Sequence, residues 1–87
     1  MNDITVTLVG RDGCHLCDEA DGIVAKVLQR FINVDYEHTS LEQNPEWEHQ
    51  YGDKIPVLLL NGVEHAYWRI NGERLEGALV ELGAISE

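Results

Sequence analysis

Basic side chains are scarce in this sequence: six Lys and Arg stand against sixteen Asp and Glu, and the net charge is −10. Nucleic-acid binding depends on clusters of Lys and Arg that release counterions from phosphates. The acidic excess therefore argues against nucleic acid as a partner, and it disfavours anionic membrane surfaces. It steers basic or neutral protein partners better than acidic ones, and it also keeps a small protein soluble.

Long apolar runs are missing as well. No stretch approaches the roughly 18 to 20 apolar residues of a membrane span, and Met1–Val6 has neither a basic segment nor an apolar run of signal-peptide length. We therefore expect a cytoplasmic protein with no membrane partner. A length of 87 residues, 44% hydrophobic and 25% charged, predicts a single folded domain over residues 1–87, and we expect it to be a monomer.

Cysteine is limited to Cys14 and Cys17, and the only methionine is Met1. Thiols are kept reduced in the cytoplasm, so permanent disulfides are rare there. Two cysteines three positions apart are then more often catalytic or metal-binding than a structural crosslink. Inert packing of two small apolar side chains is a third interpretation.

The first half of the chain alternates between strand and helix patterns. Ile4–Val9 and Val34–His38 alternate in the manner of strands, and we expect the second to lie at an edge of a sheet. Between them, apolar residues recur at steps of three and four from Leu16 to Phe31. This spacing predicts an amphipathic helix.

The second half predicts a short helix, a hairpin and a closing helix. Asn44 followed by proline is a good helix start, and the short helix should run to Tyr51. Asn61-Gly62 favours a type I′ turn between two strands. Asn71 can cap a final helix that Gly83 ends. The two strands of the hairpin are Ile55–Leu60 and Val63–Tyr67.

This order, β-α-β-α-β-β-α, is that of an α/β fold. The first β-α-β unit should be a right-handed parallel crossover. The hairpin then completes a four-stranded mixed sheet with helices on both faces.

Cys14-His15-Leu16-Cys17 lies between the first strand and the first helix. The start of a helix has unpaired N–H groups and a partial positive charge, which stabilise a thiolate, the reactive form of cysteine. The charges of Asp18, Glu19 and Asp21 oppose that effect. Cysteines at positions i and i+3 have Cα atoms about 5 to 6 Å apart, a separation that a disulfide accepts. Cys14 is thus the candidate nucleophile and Cys17 the candidate resolving thiol for exchange with a protein or low-molecular-weight disulfide.

Two motifs together resemble those of small bacterial glutaredoxin-like proteins of the thioredoxin superfamily. C-H-L-C with an acidic residue after it stands at Cys14–Asp18, and Y-G-x-x-I-P-V stands at Tyr51–Val57. The resemblance implies a thioredoxin-like fold and a role in cell redox homeostasis and electron transfer. It also implies a cis peptide bond between Ile55 and Pro56, which would form a substrate shelf beside Cys14.

Glutathione binding is less clearly implied. Arg11 matches a basic residue that glutaredoxins use near glutathione, so it is a candidate to steady the thiolate or meet a substrate carboxylate. A solvated loop arginine is the alternative. The Gly-Gly-x-x-Asp glutathione clamp of glutaredoxins has no counterpart in Trp68–Glu73. The expected redox group is the Cys14–Cys17 pair itself, with no separate cofactor, and glutathione stays an open alternative.

Two other functions remain open at this point. Thiolates at the spacing of Cys14 and Cys17 suit zinc or copper(I), but His38 and His49 are eleven residues apart and lack the usual His-x₃₋₅-His spacing. The chain would then be a soft-metal binding module. Alternatively, the domain keeps the fold and acts as a docking partner without catalysis.

Overall fold

The computed structural model describes residues 3–87. Its element order is the predicted one, with a 3₁₀ turn at Pro45–Trp47 leading into the second helix. Among the described residues, no helix has the length and apolar character needed to cross a bilayer. The elements are β1 (Ile4–Gly10), α1 (His15–Leu28), β2 (Val34–Ser40), α2 (Glu48–Tyr51), β3 (Val57–Leu60), β4 (Val63–Tyr67) and α3 (Gly72–Glu81).

The four strands form one mixed sheet in the order β2-β1-β3-β4. β1 runs parallel to β2 and antiparallel to β3, and β3 runs antiparallel to β4. β2 therefore lies at an edge, as predicted. Asn61 and Gly62 have φ angles of 52° and 82°, the positive values that a type I′ hairpin requires. The predicted thioredoxin-like sheet is confirmed.

Each face of the sheet has its own core, because β1 and β3 are buried on both sides. The larger core lies under α1 and α3, which pack against each other, and the smaller one lies under α2. Helices thus cover both faces. The larger core comprises Ile4, Val6, Leu8, Ala20, Val24, Leu58, Leu60, Ile70, Leu75 and Leu79. The smaller one comprises Val9, Leu41, Tyr51, Val57 and Leu59, with Trp47 and Ile55 packed against it.

α1 is shorter and less deeply buried at its start than its periodicity predicts. It ends at Leu28 rather than near Phe31, because Phe31 forms an isolated bridge with Ser86 and this pairing needs extended backbone. Leu16 and Ile23, expected on the buried face, are each 37% exposed. Tertiary pairing and the position of the sheet thus override the local pattern at both ends of the helix.

The two asparagines expected at helix starts behave differently. Asn71 accepts hydrogen bonds from the backbone N–H groups of Glu73 and Arg74 at 3.0 and 3.1 Å, so this cap is confirmed. The capping role of Asn44 is wrong. Its side chain makes no cap hydrogen bond and instead donates to the carbonyl of Ser40 at 2.9 Å.

Candidate active site

The two cysteines occupy the first turn of α1. Cys14 is the N-cap residue, with φ −87° and ψ 111°, and its Cα atom lies 5.2 Å from that of Cys17, to which it is joined by a disulfide. The backbone N–H of Cys17 donates to Cys14 Sγ over 3.1 Å. An otherwise unpaired N–H of the helix start is thus directed at the sulfur, an arrangement that stabilises a thiolate at residue 14 once the bond is reduced.

The loop before α1 brings the sheet close to Cys17. The N–H of Cys14 donates to the carbonyl of Arg11 at 3.2 Å, and Gly13 supplies the positive φ of 75° that this turn uses. A Cβ atom at Gly10 would lie 3.0 Å from Cys17 Sγ. Gly10 follows directly after the strand predicted at Ile4–Val9, and nothing local in the sequence indicates this close approach.

Arg11 lies near the cysteine pair but is engaged elsewhere. Its guanidinium is 2.9 Å from a carboxylate oxygen of Glu48 at the start of α2. The hydrogen bond to Glu48, followed by the charge of that carboxylate, raises the pKa of Arg11. Arg11 and Cys17 line the same cleft, so the predicted proximity is present while the guanidinium already has an acidic partner.

The peptide bond between Ile55 and Pro56 is cis, the geometry that the resemblance implies. Val9 pairs with Val57, so Pro56 lies beside the end of β1, where the cysteine loop begins. Pro56 is buried, and its carbonyl accepts from the Trp68 N–H at 2.9 Å. The N–H and C=O of Ile55 make no hydrogen bond within residues 3–87, which leaves both groups available to an extended segment.

A cleft of about 350 Å³ opens beside Cys17. Asp21 on α1 and His38 on β2 line it together with that cysteine. Asp21 Oδ1 accepts from the Tyr36 hydroxyl at 2.8 Å and lies 2.7 Å from His38 Nε2. Burial, and then the Asp21 carboxylate, raises the pKa of Tyr36 well above its usual range, so the hydroxyl stays a donor near neutral pH.

Sequence reasoning missed this cluster. His38 was considered only as a metal ligand, because of its spacing from His49. Asp21 was considered only as a negative charge that opposes the thiolate. Two weak signals were present: Tyr36 and His38 share one face of an alternating strand, and Asp21 follows Cys17 by one helical turn. Neither signal says that the strand and the helix face each other.

The metal hypothesis gains no further ligands from this chain. Within residues 3–87, no three His, Cys, Asp or Glu side chains are grouped so that they could hold a metal ion. Structural zinc sites use four protein ligands. A structural zinc ion bound by Cys14 and Cys17 would therefore need ligands from outside the described residues.

The family model of the glutaredoxin-like domain (DUF836) matches residues 5–80 of the chain. The chain belongs to this family. An uncharacterized protein of Mycobacterium tuberculosis, Rv0508, is 31% identical over an alignment of 79 residues, and the match covers 86% of this chain and 81% of the relative. The resemblance to glutaredoxin-like proteins is thereby confirmed.

Solved structures share the fold of this chain. The X-ray structure of protein XcR50 from X. campestris is 30% identical, with a TM-score of 0.70 over 87% of this chain and 96% of that one. Protein Ne2328 from Nitrosomonas europaea is 20% identical, with a TM-score of 0.75 over 90% and 93%. A mutant thioredoxin from Halobacterium salinarum is 16% identical, with a TM-score of 0.71 over 97% and 78%. The last two comparisons show the fold alone.

Proposed function

We propose that this glutaredoxin-like protein is a thiol–disulfide oxidoreductase with Cys14 as nucleophile and Cys17 as resolving thiol. The observation that carries the proposal is the pairing of the two sulfurs at the start of α1, with the Cys17 N–H directed at Cys14 Sγ. The dithiol and the disulfide are then the two end states of one cycle. The proposed setting is the cytoplasm, where the protein acts as a monomer in redox homeostasis and needs no cofactor beyond this pair.

In the reducing direction, the Cys14 thiolate attacks one sulfur of a substrate disulfide. A mixed disulfide forms, and the first substrate thiolate leaves and takes up a proton. Cys17 then loses its proton and attacks Cys14 Sγ, so that the Cys14–Cys17 disulfide forms and the second substrate thiolate leaves. The substrate gains two electrons and the dithiol loses two, which a cellular thiol later restores. A Cα separation of 5.2 Å lets Cys17 reach Cys14 without a backbone shift.

The proposed substrate is a protein or low-molecular-weight disulfide that lies across Ile55 and Pro56. The free N–H and C=O of Ile55 can pair with an extended segment in the manner of an added strand. Pro56 has no N–H to offer the substrate, and it forms the buried end of this shelf, next to β3. Arg11 is the residue assigned to a substrate carboxylate, in competition with Glu48.

The decisive experiment is a redox titration of the full chain in glutathione and thioredoxin buffers. We expect a reversible two-electron transition between the dithiol and the Cys14–Cys17 disulfide. A midpoint of about −270 mV suits a reductant, and one of about −120 mV suits an oxidant. The Cys17→Ser variant, the matched control, should form only mixed disulfides.

Failure of the wild-type pair to form an intramolecular disulfide would show that the dithiol mechanism is wrong. Stoichiometric zinc or copper in protein purified without added metal would instead support the metal-binding role. Full biological activity of a Cys14→Ser variant would support the docking role.

A further inference from the structure

Asp21 and His38 lie beside the resolving cysteine without belonging to either core. Asp21 follows Cys17 by four residues, so both project from the same side of α1. His38 reaches the same place from β2, whose register pairs it with Leu8. Gly10 has no side chain to crowd the sulfur of Cys17, and both residues line the cleft.

The bonding around Asp21 leaves one of its oxygens open. Oδ1 holds both the Tyr36 hydroxyl and His38 Nε2, and the rings of these two residues are in contact with centroids 4.8 Å apart. Oδ2 has no hydrogen bond or ion pair among the residues that the structure describes. Two neighbouring side chains of β2 thus fix the carboxylate of Asp21, a residue that lines the same cleft as Cys17.

Cys17 needs such a group more than Cys14 does. Only a thiolate attacks a disulfide, and Cys17 is a turn inside α1, with its own N–H already donated to Cys14. The positive end of the helix therefore favours the anion at residue 14 rather than at residue 17. A neighbouring group that accepts the Cys17 proton would remove this disadvantage.

We propose that the Asp21–His38 pair accepts the proton of the Cys17 thiol, through water in the cleft, as Cys17 attacks the mixed disulfide. The S–H bond of Cys17 breaks, the Cys17–Cys14 bond forms, and the bond from Cys14 to the substrate sulfur breaks. The pair then returns the proton to the departing thiolate and is neither oxidised nor reduced. Tyr36 is a positioning residue that holds the carboxylate. The inference rests on the proposed function and adds a proton acceptor to it.

The other charged side chains of the cleft are arranged differently. Arg11 is paired with Glu48. Asp12 and Asp18 also line the cleft, but among the described residues no side chain of β2 donates a hydrogen bond to either carboxylate. Asp18 carries the same charge as Asp21 on the same helix. Asp18→Asn is therefore the matched control, because it removes an equal charge from the same cleft and leaves the Asp21–His38 contact intact.

The test separates the two steps with hydroxyethyl disulfide, an uncharged probe. Reduced full-length protein is mixed with the probe and quenched in acid, and mass spectrometry counts the reduced, mixed-disulfide and intramolecular-disulfide forms. A Cys17→Ser background reports the first step alone. We expect Asp21→Asn and His38→Gln to slow the second step by about tenfold or more near neutral pH and to accumulate the mixed disulfide. The rate of the first step should stay within about twofold of the wild-type rate. The loss of an acid–base contribution to that step would lower its rate by much more.

The pH profile distinguishes proton acceptance from a structural role. The wild-type second step should change little above neutral pH, whereas in Asp21→Asn it should rise about tenfold per pH unit as solvent hydroxide takes over. Asp18→Asn should keep the wild-type pH dependence of the second step, although the loss of its charge should make the first step at Cys14 faster. A wild-type profile in Asp21→Asn or His38→Gln, or an equal slowing of both steps, would overturn the inference. Absence of any mixed disulfide with the Cys17→Ser variant would instead count against the proposed function itself.

Discussion

Gly10 lies so close to Cys17 that a side chain at position 10 would be crowded against the second sulfur. A Cβ atom there would lie 3.0 Å from Cys17 Sγ and 3.3 Å from Cys17 Cβ. The requirement concerns space and not backbone conformation, because Gly10 is an ordinary strand residue at the end of β1. Glycine at this position lets α1 begin directly against the sheet, with the second sulfur next to the strand.

Substitution Gly10→Ala should therefore push Cys17 away from β1. Overpacking at a site of this kind lowers the free energy of unfolding by about 1 to 3 kcal/mol. Urea unfolding of the oxidised protein measures this change. The second step of exchange should also slow, because the displaced sulfur no longer faces Cys14 as it does here.

Gly22→Ala is the matched control for this substitution. Gly22 lies within α1, and a Cβ atom there would meet nothing within 4 Å. Alanine in a helix interior is about 0.5 to 1 kcal/mol more favourable than glycine, so this variant should gain stability. Equal effects of the two alanines would contradict the close contact at Gly10.

The two cysteines should differ in reactivity once reduced. Because the Cys17 N–H points at Cys14 Sγ, Cys14 should react with iodoacetamide faster near neutral pH than Cys17 does. Alkylation rates of the Cys17→Ser and Cys14→Ser variants measure the two thiols separately. Asp18→Asn should raise the rate at Cys14, since it removes a nearby negative charge that opposes the thiolate.

Added salt should reduce the effect of Asp18→Asn, because Asp18 is exposed and salt screens exposed charges. Equal alkylation of the two single-cysteine proteins would contradict the assignment of Cys14 as nucleophile.

Local signals were enough to predict the fold and the position of the cysteine pair. The turn at Asn61-Gly62 and the cap at Asn71 are each specified by a few neighbouring residues, and the structure contains both. The Cys14–Cys17 pair follows from its spacing at a strand–helix boundary.

Contacts between distant segments were not predictable from local patterns. Asp21 meets His38 only because β2 lies parallel to β1 in one particular register. Arg11 meets Glu48 across 37 positions, and α1 stops early because Phe31 pairs with Ser86. These partners are brought together by the topology, and no spacing in the sequence records them.

The ion pair of Arg11 with Glu48 should limit reaction with anionic disulfides. Glu48→Gln releases the Arg11 guanidinium and removes the negative charge next to it, so glutathione disulfide, which is anionic, should react faster. The uncharged hydroxyethyl disulfide should change less. Stopped-flow rates at low ionic strength measure both, and about 0.1 M salt should weaken the difference because it screens charges beyond about 10 Å.

Glu76→Gln is the control for the change in net charge. Glu76 pairs with Arg30 at 2.9 Å, and Arg30 follows the opposite end of α1 from the cysteines. Losing this charge should leave the ratio of the two rates unchanged. If Glu76→Gln and Glu48→Gln raise the glutathione disulfide rate equally, total charge and not Arg11 sets the selectivity.

Tyr36 should make the folded protein sensitive to alkaline pH. Burial and the Asp21 carboxylate raise the pKa of Tyr36 in the folded chain above the value of about 10 that an unfolded tyrosine has. Above that pH the unfolded chain loses a proton that the folded chain keeps. The contribution of Tyr36 to stability is therefore complete below about pH 10 and declines as the pH rises further.

Substitution Tyr36→Phe should remove that decline, although it also removes a hydrogen bond to Asp21 and so lowers stability near neutral pH by about 1 kcal/mol. Urea unfolding of the wild type and the variant from neutral pH to above pH ~10 measures both effects. The wild-type advantage should shrink at the alkaline end of the series. Tyr67→Phe, which removes the hydroxyl of an exposed tyrosine, should run parallel to the wild type. If the Tyr36→Phe curve also runs parallel to that of the wild type, the Tyr36 hydroxyl does not make the partly buried hydrogen bond that holds Asp21.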